Sequence, residues 1–326
     1  MVNSAFDSQF AAFAAAAFCT LVLPVVLLIL LGVMKKIRLA PLALGFVSFF
    51  VSQMVLRIPL LQLLTATGAL KTFAAHTVLY AVVVGGLSAG LFEETARLAG
   101  ASILKGQRSY KDMISFGLGH SLCEVMLIAG MTHVNNLLLA AALSASDGPM
   151  GALLAGVDSA TLELVASQLA AATPGVVALG LLERVSAVLF HLFATSLVFT
   201  AVIRRKPGWY FAAVGAHTLF NSLAVLLSGL GILAVELVLF AAGLAMGAYV
   251  LAQRRRWPAR VCTIVRSAES EKSYFWARKK PANPHGKPLC GFLFGADEQK
   301  PLCKRGAPLA KAPKLAKCVE IVNNAG

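Results

Sequence analysis

Seven long, nearly uncharged apolar runs are the feature that most constrains the fold of this 326-residue chain. A helix that crosses a bilayer needs about 20 predominantly apolar residues, because the hydrocarbon core is ~30 Å thick. The runs are continuous rather than alternating, which argues against a transmembrane β-barrel. We therefore expect an all-α, polytopic membrane helix bundle. The predicted spans cover about residues 10–34, 40–63, 73–99, 113–141, 176–203, 208–228 and 230–252.

Charge is scarce in most of the chain and concentrated at its end. Only 13% of the residues are charged, whereas soluble domains carry about 25%, so a soluble globular fold is excluded. Residues 254–326 hold 16 Lys and Arg against 5 Asp and Glu, which is eleven of the net +14. Their composition, rich in Lys, Pro, Ala and Gly, predicts disorder. We therefore expect a transmembrane domain in residues 1–253 and a basic, disordered tail in residues 254–326.

The basic tail has an electrostatic preference rather than a recognisable binding motif. Its charge would favour the anionic lipids of an inner leaflet or nonspecific nucleic-acid contact, and a solvated tail without a partner is the simpler alternative. No specific nucleic-acid partner is predicted. The spacings of its four cysteines fit no zinc motif. These cysteines are Cys262, Cys290, Cys303 and Cys318.

Basic residues follow every second span, and Lys and Arg concentrate in cytoplasmic loops by the positive-inside rule. The long loop 145–174, on the other side, contains no Lys or Arg, and its apolar spacing fits either an interfacial helix or a plain connection. The prediction is an integral membrane protein of a bacterial-type cell membrane, with the N-terminus outside and the C-terminus cytoplasmic. The basic clusters are Lys35, Lys36 and Arg38; Lys105, Arg108 and Lys111; Arg204, Arg205 and Lys206; and Arg254, Arg255 and Arg256.

Charged and histidine side chains recur inside four of the predicted spans. A charged side chain in hydrocarbon costs at least ~2.5–3.5 kcal/mol, so such residues usually pair, face a cavity or have a function. Residues four apart in a helix lie on one face, so each set presents its polar groups to a neighbouring helix. The candidates are Glu93, Glu94 and Arg97; His120 and Glu124; Glu183, Arg184 and His191; and His217 and Asn221.

The depths of these residues agree between helices that run in opposite directions. Counted from the basic loops at ~1.5 Å per residue, Glu93, His120 and His217 lie ~10, ~12 and ~14 Å deep. A second set lies one turn further, at ~18–20 Å by the same rise. Two matching polar layers predict one shared site that opens toward the cytoplasm. The second layer consists of Glu124, His191 and Asn221.

Two hydrolytic chemistries suit these residue types. A carboxylate beside a histidine can activate water, while a second His or an Asn stabilises the oxyanion of an attacked carbonyl. Two or three His with Glu equally suit zinc, which keeps an open position for a water of lowered pKa. Zinc and metal-free catalysis therefore both stay open. The candidate metal ligands are His120, Glu124, His191 and His217.

Short motifs on successive spans resemble those of the CAAX prenyl protease and bacteriocin-processing superfamily of intramembrane proteases. The Glu-Glu to Arg spacing is one residue shorter here than in the prenyl-protease pattern. More narrowly, the chain is similar to the YhfC-type intramembrane metalloproteases over about residues 75–225. The matching segments are Glu93-Glu94…Arg97, Phe116…His120, Gly119-His120…Glu124, Glu183-Arg184…His191 and His217…Asn221.

The resemblance implies peptide-bond hydrolysis at the membrane. Glu93 or Glu94 would be the base, His120 and His217 the ligands of water or metal, and Asn221 the oxyanion donor, with Arg97 as the counter-charge. We therefore predict an intramembrane peptidase that acts on a membrane-associated peptide or protein. The alternatives are a proton-coupled transporter or channel that uses the same Glu and His residues, and a non-catalytic immunity or binding protein on the same scaffold.

Overall fold

A computed structural model describes residues 7–145 and 151–257, and the structural statements below refer to these residues. Within them the chain is helical and contains no strand. Seven helices are long and apolar enough to cross a membrane, which confirms the all-α, seven-span prediction. They are α1 (Ser8–Val33), α2 (Leu39–Ala66), α3 (Thr77–Ile103), α4 (Tyr110–Ser144), α6 (Pro174–Arg204), α7 (Gly208–Leu226) and α8 (Ile232–Arg256).

The predicted boundary between membrane domain and tail falls inside a helix. α8 continues through the three arginines at its end, three residues past the predicted limit at residue 253. Cationic side chains in a last turn interact favourably with the helix dipole, so the basic cluster extends the helix rather than ending it. The remainder of the predicted tail, with its cysteines, lies outside the described residues.

The loop before α6 contains a further helix, α5 (Ser159–Ala171). Asp158 caps its start, accepting a hydrogen bond from the Thr161 backbone N–H at 2.9 Å. Leu169 is buried against the beginning of α1 and the end of α4. Of the two alternatives for this loop, a helix is therefore the one that forms.

A capping box and an ion pair set the start of α4, which carries one of the site histidines. The Ser109 hydroxyl accepts from the Asp112 N–H, while the Asp112 carboxylate accepts from the Ser109 N–H at 2.9 Å. Arg38, in the connection between α1 and α2, donates to the same carboxylate at 2.7 Å. The start of α4 is thus fixed against the chain that enters α2.

Glycines let α2 pack directly on the backbone of α4. A Cβ atom at Gly45 would collide with the Phe116 carbonyl oxygen, and one at Gly119 would collide with that of Leu42. Small residues of this kind allow membrane helices to approach closely. This contact brings Ser48 on α2 beside His120 on α4.

A second glycine contact joins α3 to α7. A Cβ atom at Gly90 would lie 3.0 Å from the Val214 carbonyl oxygen, and one at Gly86 would lie 2.6 Å from that of Thr218. The close approach places the glutamates of α3 opposite His217.

Four spans contain π-helical segments, which the hydropathy pattern does not reveal. Such wider turns are rare and often occur at functional sites. The segments on α2 and α3 contact each other: Arg57 in the first donates to the Val84 and Gly85 carbonyls in the second, at 2.9 and 3.1 Å. The four segments are Phe18–Val22, Phe50–Arg57, Tyr80–Leu87 and Val125–Gly130.

Candidate active site

Six polar side chains from four helices meet inside the bundle. Each is at most 4% exposed, so the group is shielded from the surroundings of the bundle. Counted from the helix ends next to the basic clusters, its members lie roughly six to thirteen residues deep, which is ~9–20 Å at the helical rise. The group consists of Glu93, Glu94 and Arg97 on α3, His120 on α4, His191 on α6 and His217 on α7.

Glu93 lies at the centre of this group. Its Oε2 is 3.0 Å from His120 Nε2 and 3.3 Å from Arg97 Nη2. The same oxygen is 3.9 Å from His191 Nδ1, while Oε1 is 3.7 Å from His217 Nε2. One carboxylate is therefore within 4 Å of all three histidines.

Glu94 has a different environment from its neighbour, because adjacent helical residues point about 100° apart. It pairs with Arg97, and its Oε1 lies 2.7 Å from His217 Nδ1. A carboxylate bound to one ring nitrogen fixes the tautomer and orientation of a histidine whose other nitrogen faces a reactive centre. Glu94 thus orients His217, and Glu93 faces the histidines directly.

His120 and His217 each contact a glutamate through one ring nitrogen. His120 Nε2 lies 3.0 Å from Glu93 Oε2 and donates there, because a carboxylate can only accept. His120 Nδ1 lies 2.9 Å from the Ser48 hydroxyl, which is also 2.7 Å from the Gly45 carbonyl. His217 donates from Nδ1 to Glu94 Oε1 at 2.7 Å, and its Nε2 lies 3.7 Å from Glu93 Oε1.

His191 is held from both sides. Arg97 has only donors, so at 2.6 Å its Nη2 donates to His191 Nδ1. The proton of the neutral ring is therefore on Nε2, which contacts the carboxylate of Glu124. His191 connects the Arg97 guanidinium to the second polar layer.

The donor set fits a divalent cation. The ligand atoms of Glu93, His120 and His191 all lie within 4.8 Å of one another. In the neutral ring the unprotonated Nε2 of His217 lies 3.7 Å from Glu93 Oε1, and two acceptors in this position repel unless a proton or a cation lies between them. Imidazole and carboxylate are also the ligand types that zinc takes in catalytic sites.

Glu124 lies at the edge of this arrangement rather than in the compact ligand group. Its carboxylate contacts His191 and accepts from Arg184 Nη1 at 3.3 Å. Arg184 also pairs with Glu183. The group of possible ligand atoms that lie close together belongs to Glu93, His120 and His191. The ligand set of His120, Glu124, His191 and His217 stays a prediction.

Asn221 is not part of the buried group. Its side chain is exposed, and it makes no side-chain hydrogen bond within the part of the chain that the structure describes. The buried stripe of α7 follows Ala213, His217 and Phe220. Asn221, at the edge of that stripe, shares the depth of the second layer but faces away from it. Its oxyanion role, implied by the resemblance, stays a prediction.

The structure adds Ser48, Gln53 and Arg57 on α2 to the site. Gln53 is 3% exposed and donates from Nε2 to Glu93 Oε1 at 2.8 Å. The signal in the sequence was a Gln and an Arg four residues apart within an apolar span, which indicates one polar helix face. Hydropathy alone treats that face as an interruption of the span.

A cavity of about 600 Å³ lies beside the site, between α2 and α3. Its lining is almost wholly apolar, and Ser48 and Thr95 are among its few polar side chains. Ser48 lines the cavity and also binds His120. An apolar space therefore adjoins the buried polar group.

Together these observations define a polytopic helical membrane protein with a buried carboxylate–histidine site. The model of the YhfC intramembrane metalloprotease family matches residues 19–241, and the chain belongs to this family.

Over 158 residues the chain is 32% identical to the "Uncharacterized membrane protein YhfC" of Bacillus subtilis (strain 168). The alignment covers 48% of this chain and 60% of that protein, so the chain spans about three fifths of the length of this curated relative. No solved structure matches the chain.

Proposed function

We propose that this protein is an intramembrane peptidase that hydrolyses a peptide bond with water activated by Glu93 and the surrounding histidines. The observation that carries the proposal is the position of the Glu93 carboxylate, which lies within 4 Å of His120, His191 and His217 in a buried site. Family membership supports the same reaction class. The substrate would be a membrane-associated peptide or protein.

Glu93 and His120, together with His191 or His217, would hold a divalent metal ion, and such an ion supplies a water of lowered pKa at the site. The chain's own residues supply the remaining functions. Glu93 accepts the proton of the attacking water and returns it to the leaving amine. Glu94 holds His217 in its orientation, and Arg97 offsets the charge of both glutamates.

Peptide backbone inside a membrane helix is protected by its own hydrogen bonds. A substrate must therefore unwind locally or present a flexible end before its carbonyl can reach Glu93. We further propose that the site opens toward the side of the basic clusters, which the positive-inside rule assigns to the cytoplasm.

The experiment compares cells that express the wild-type chain, Glu93→Gln or Glu163→Gln, and quantifies new N-termini in membrane proteins by mass spectrometry. Glu163 is an exposed glutamate on α5 and serves as the matched control. We expect a set of N-termini that appears with the wild type and with Glu163→Gln and is lost with Glu93→Gln. Purified protein co-reconstituted with a polypeptide found in this way should reproduce the cleavage. Equal cleavage by all three would contradict the proposal.

A proton-coupled transporter is the second candidate, and one observation favours it. Polar contacts continue from Arg97 through His191 and Glu124 to Arg184 and Glu183, beyond the first layer. Chains of Glu and His can relay protons across a membrane. Proton flux into liposomes that Glu124→Gln abolishes, in the absence of any proteolysis, would favour this reading over the peptidase.

A further inference from the structure

Among the described residues, Glu93 has one hydrogen-bond partner from outside the group of glutamates, arginine and histidines given above. Gln53, buried on α2, donates from its amide nitrogen to Glu93 Oε1 at 2.8 Å. The other oxygen, Oε2, is the one within 3.0 Å of His120. The two carboxylate oxygens are therefore differentiated, one held by α2 and one facing α4.

The orientation of the Gln53 amide is itself fixed. An amide can rotate to exchange its oxygen and nitrogen, and only its partners decide between the two. Arg57 Nη1 donates to Gln53 Oε1 at 3.0 Å, and a guanidinium cannot accept a hydrogen bond. The oxygen must therefore face Arg57, which leaves the NH2 group to face Glu93.

Arg57 is anchored on α3 independently of Glu93. Its Nε donates to the Ser88 hydroxyl at 2.9 Å, and its Nη2 donates to the Val84 and Gly85 carbonyls. The π-helical segments of α2 and α3 provide this contact, because Gln53 and Arg57 lie in the first and both carbonyls lie in the second. The guanidinium thus holds a place set by main-chain atoms.

We propose that Gln53 and Arg57 are positioning residues that orient the Glu93 carboxylate for the reaction. Arg57 acts chiefly through Gln53: it fixes the amide, and the amide holds Oε1 so that Oε2 faces His120. The inference rests on the proposed function, because it concerns the orientation of Glu93, the base and metal ligand of that proposal. Partners of this kind typically cost about 10- to 100-fold in metal affinity or activity when they are removed.

The first test titrates the purified full-length protein with Co²⁺ alone and follows its visible absorption. We expect Gln53→Leu to lower the affinity for Co²⁺ by about 10- to 100-fold. Arg57→Met should lower it less, since the amide then rotates but stays in place. In a Gln53→Leu background, Arg57→Met should lower the affinity less than it does in the wild type. Gln62→Leu, an exposed glutamine on the same helix, is the matched control and should match the wild type.

Additive losses from Gln53→Leu and Arg57→Met would overturn the relay, because a general structural role affects affinity through each residue separately. Wild-type affinity in Gln53→Leu would overturn the positioning role itself. Neither result would contradict the peptidase proposal, provided that the wild type binds Co²⁺ and cleaves its substrate.

If the wild type binds no metal, that result would count against the metal form of the proposed function. A second measurement then tests the Gln53–Glu93 contact. Thermal unfolding in detergent is compared for Gln53→Leu, Glu93→Leu and the double variant. Replacing both partners of a buried hydrogen bond by apolar groups is less costly than orphaning either one. We expect the loss in Tm of the double variant to be smaller than the sum of the two single losses. Additive losses would overturn the contact.

Discussion

At the scale of single residues, the two adjacent glutamates of α3 have different surroundings. Glu93 contacts histidine nitrogens and the Gln53 amide, and it lies 3.3 Å from Arg97. Glu94 is wholly buried against Arg97 and His217. A buried ion pair contributes little net stability when intact, but removing one partner leaves an uncompensated charge that costs about 3–5 kcal/mol. We therefore propose that Glu94 mainly stabilises the fold and that Glu93 takes part in the reaction.

Glu94→Gln should therefore destabilise the protein more than Glu93→Gln does. We expect a loss of about 3 kcal/mol for Glu94→Gln, at the low end of the range for a broken buried pair, because Arg97 retains Glu93 as a second partner. Glu93→Gln should unfold near the wild type while it abolishes cleavage. The stabilities of both variants are measured by titration into a denaturing detergent, with Glu163→Gln as the control. Equal stability of the two site variants would contradict this division.

Residue types and depths were predictable from the sequence, and the direction each side chain faces was not. Helical rise gives the distance along a span from its basic end, so His120 and His217 could be placed level with Glu93. The rotation of one helix against another depends on tertiary packing. For that reason Asn221 lies at the depth of His191 but on an exposed face of its helix. Gln53 binds Glu93, although by hydropathy it only interrupts the second span.

At the scale of elements, glycine contacts determine how closely the site helices approach. α2 and α4 touch at Gly45 and Gly119, where added side chains would meet backbone oxygens. Main-chain atoms cannot move aside as a flexible side chain can. The Ser48–His120 hydrogen bond therefore depends on residues that have no polar group of their own.

Gly119→Ala should push α2 away from α4 and weaken both the fold and the site. Overpacking of this kind costs about 1–3 kcal/mol, and the displacement of Ser48 should lower cleavage or Co²⁺ affinity as well. The control is Gly180→Ala on α6, where the structure places no described atom within 4 Å of the new Cβ. That change should be neutral or stabilising by about 0.5–1 kcal/mol. Thermal unfolding of the two variants separates the cost of overpacking from the general effect of replacing a glycine by alanine.

The seven spans could be predicted because hydropathy is a local property that each segment carries by itself. The π-helical segments could not, because the backbone groups that a widened turn frees inside a membrane are satisfied by neighbouring helices and side chains. Arg57, which binds the carbonyls of the α3 segment, is such a neighbour. The element that positions Glu93 was therefore visible only in the folded bundle.

At the scale of the whole molecule, the site lies off-centre along the helices. On α3, α4 and α6 the helix end nearest the buried group is also the end with a basic cluster, such as Arg204 at the end of α6. The opposite side carries α5 and a connection without Lys or Arg. An active site that opens at the basic end would act on the cytoplasmic part of its substrate.

The orientation can be measured with fusions to a reporter that fluoresces only in the cytoplasm and to a phosphatase that is active only outside it. We expect a fusion at the C-terminus to fluoresce and to lack phosphatase activity, because each basic cluster lies on the same side as the end of α8. A fusion after Ala145, in the connection before α5, should give the opposite result. If both patterns were reversed, the site would open to the outer side, and the substrates sought by mass spectrometry would be cleaved at their external segments.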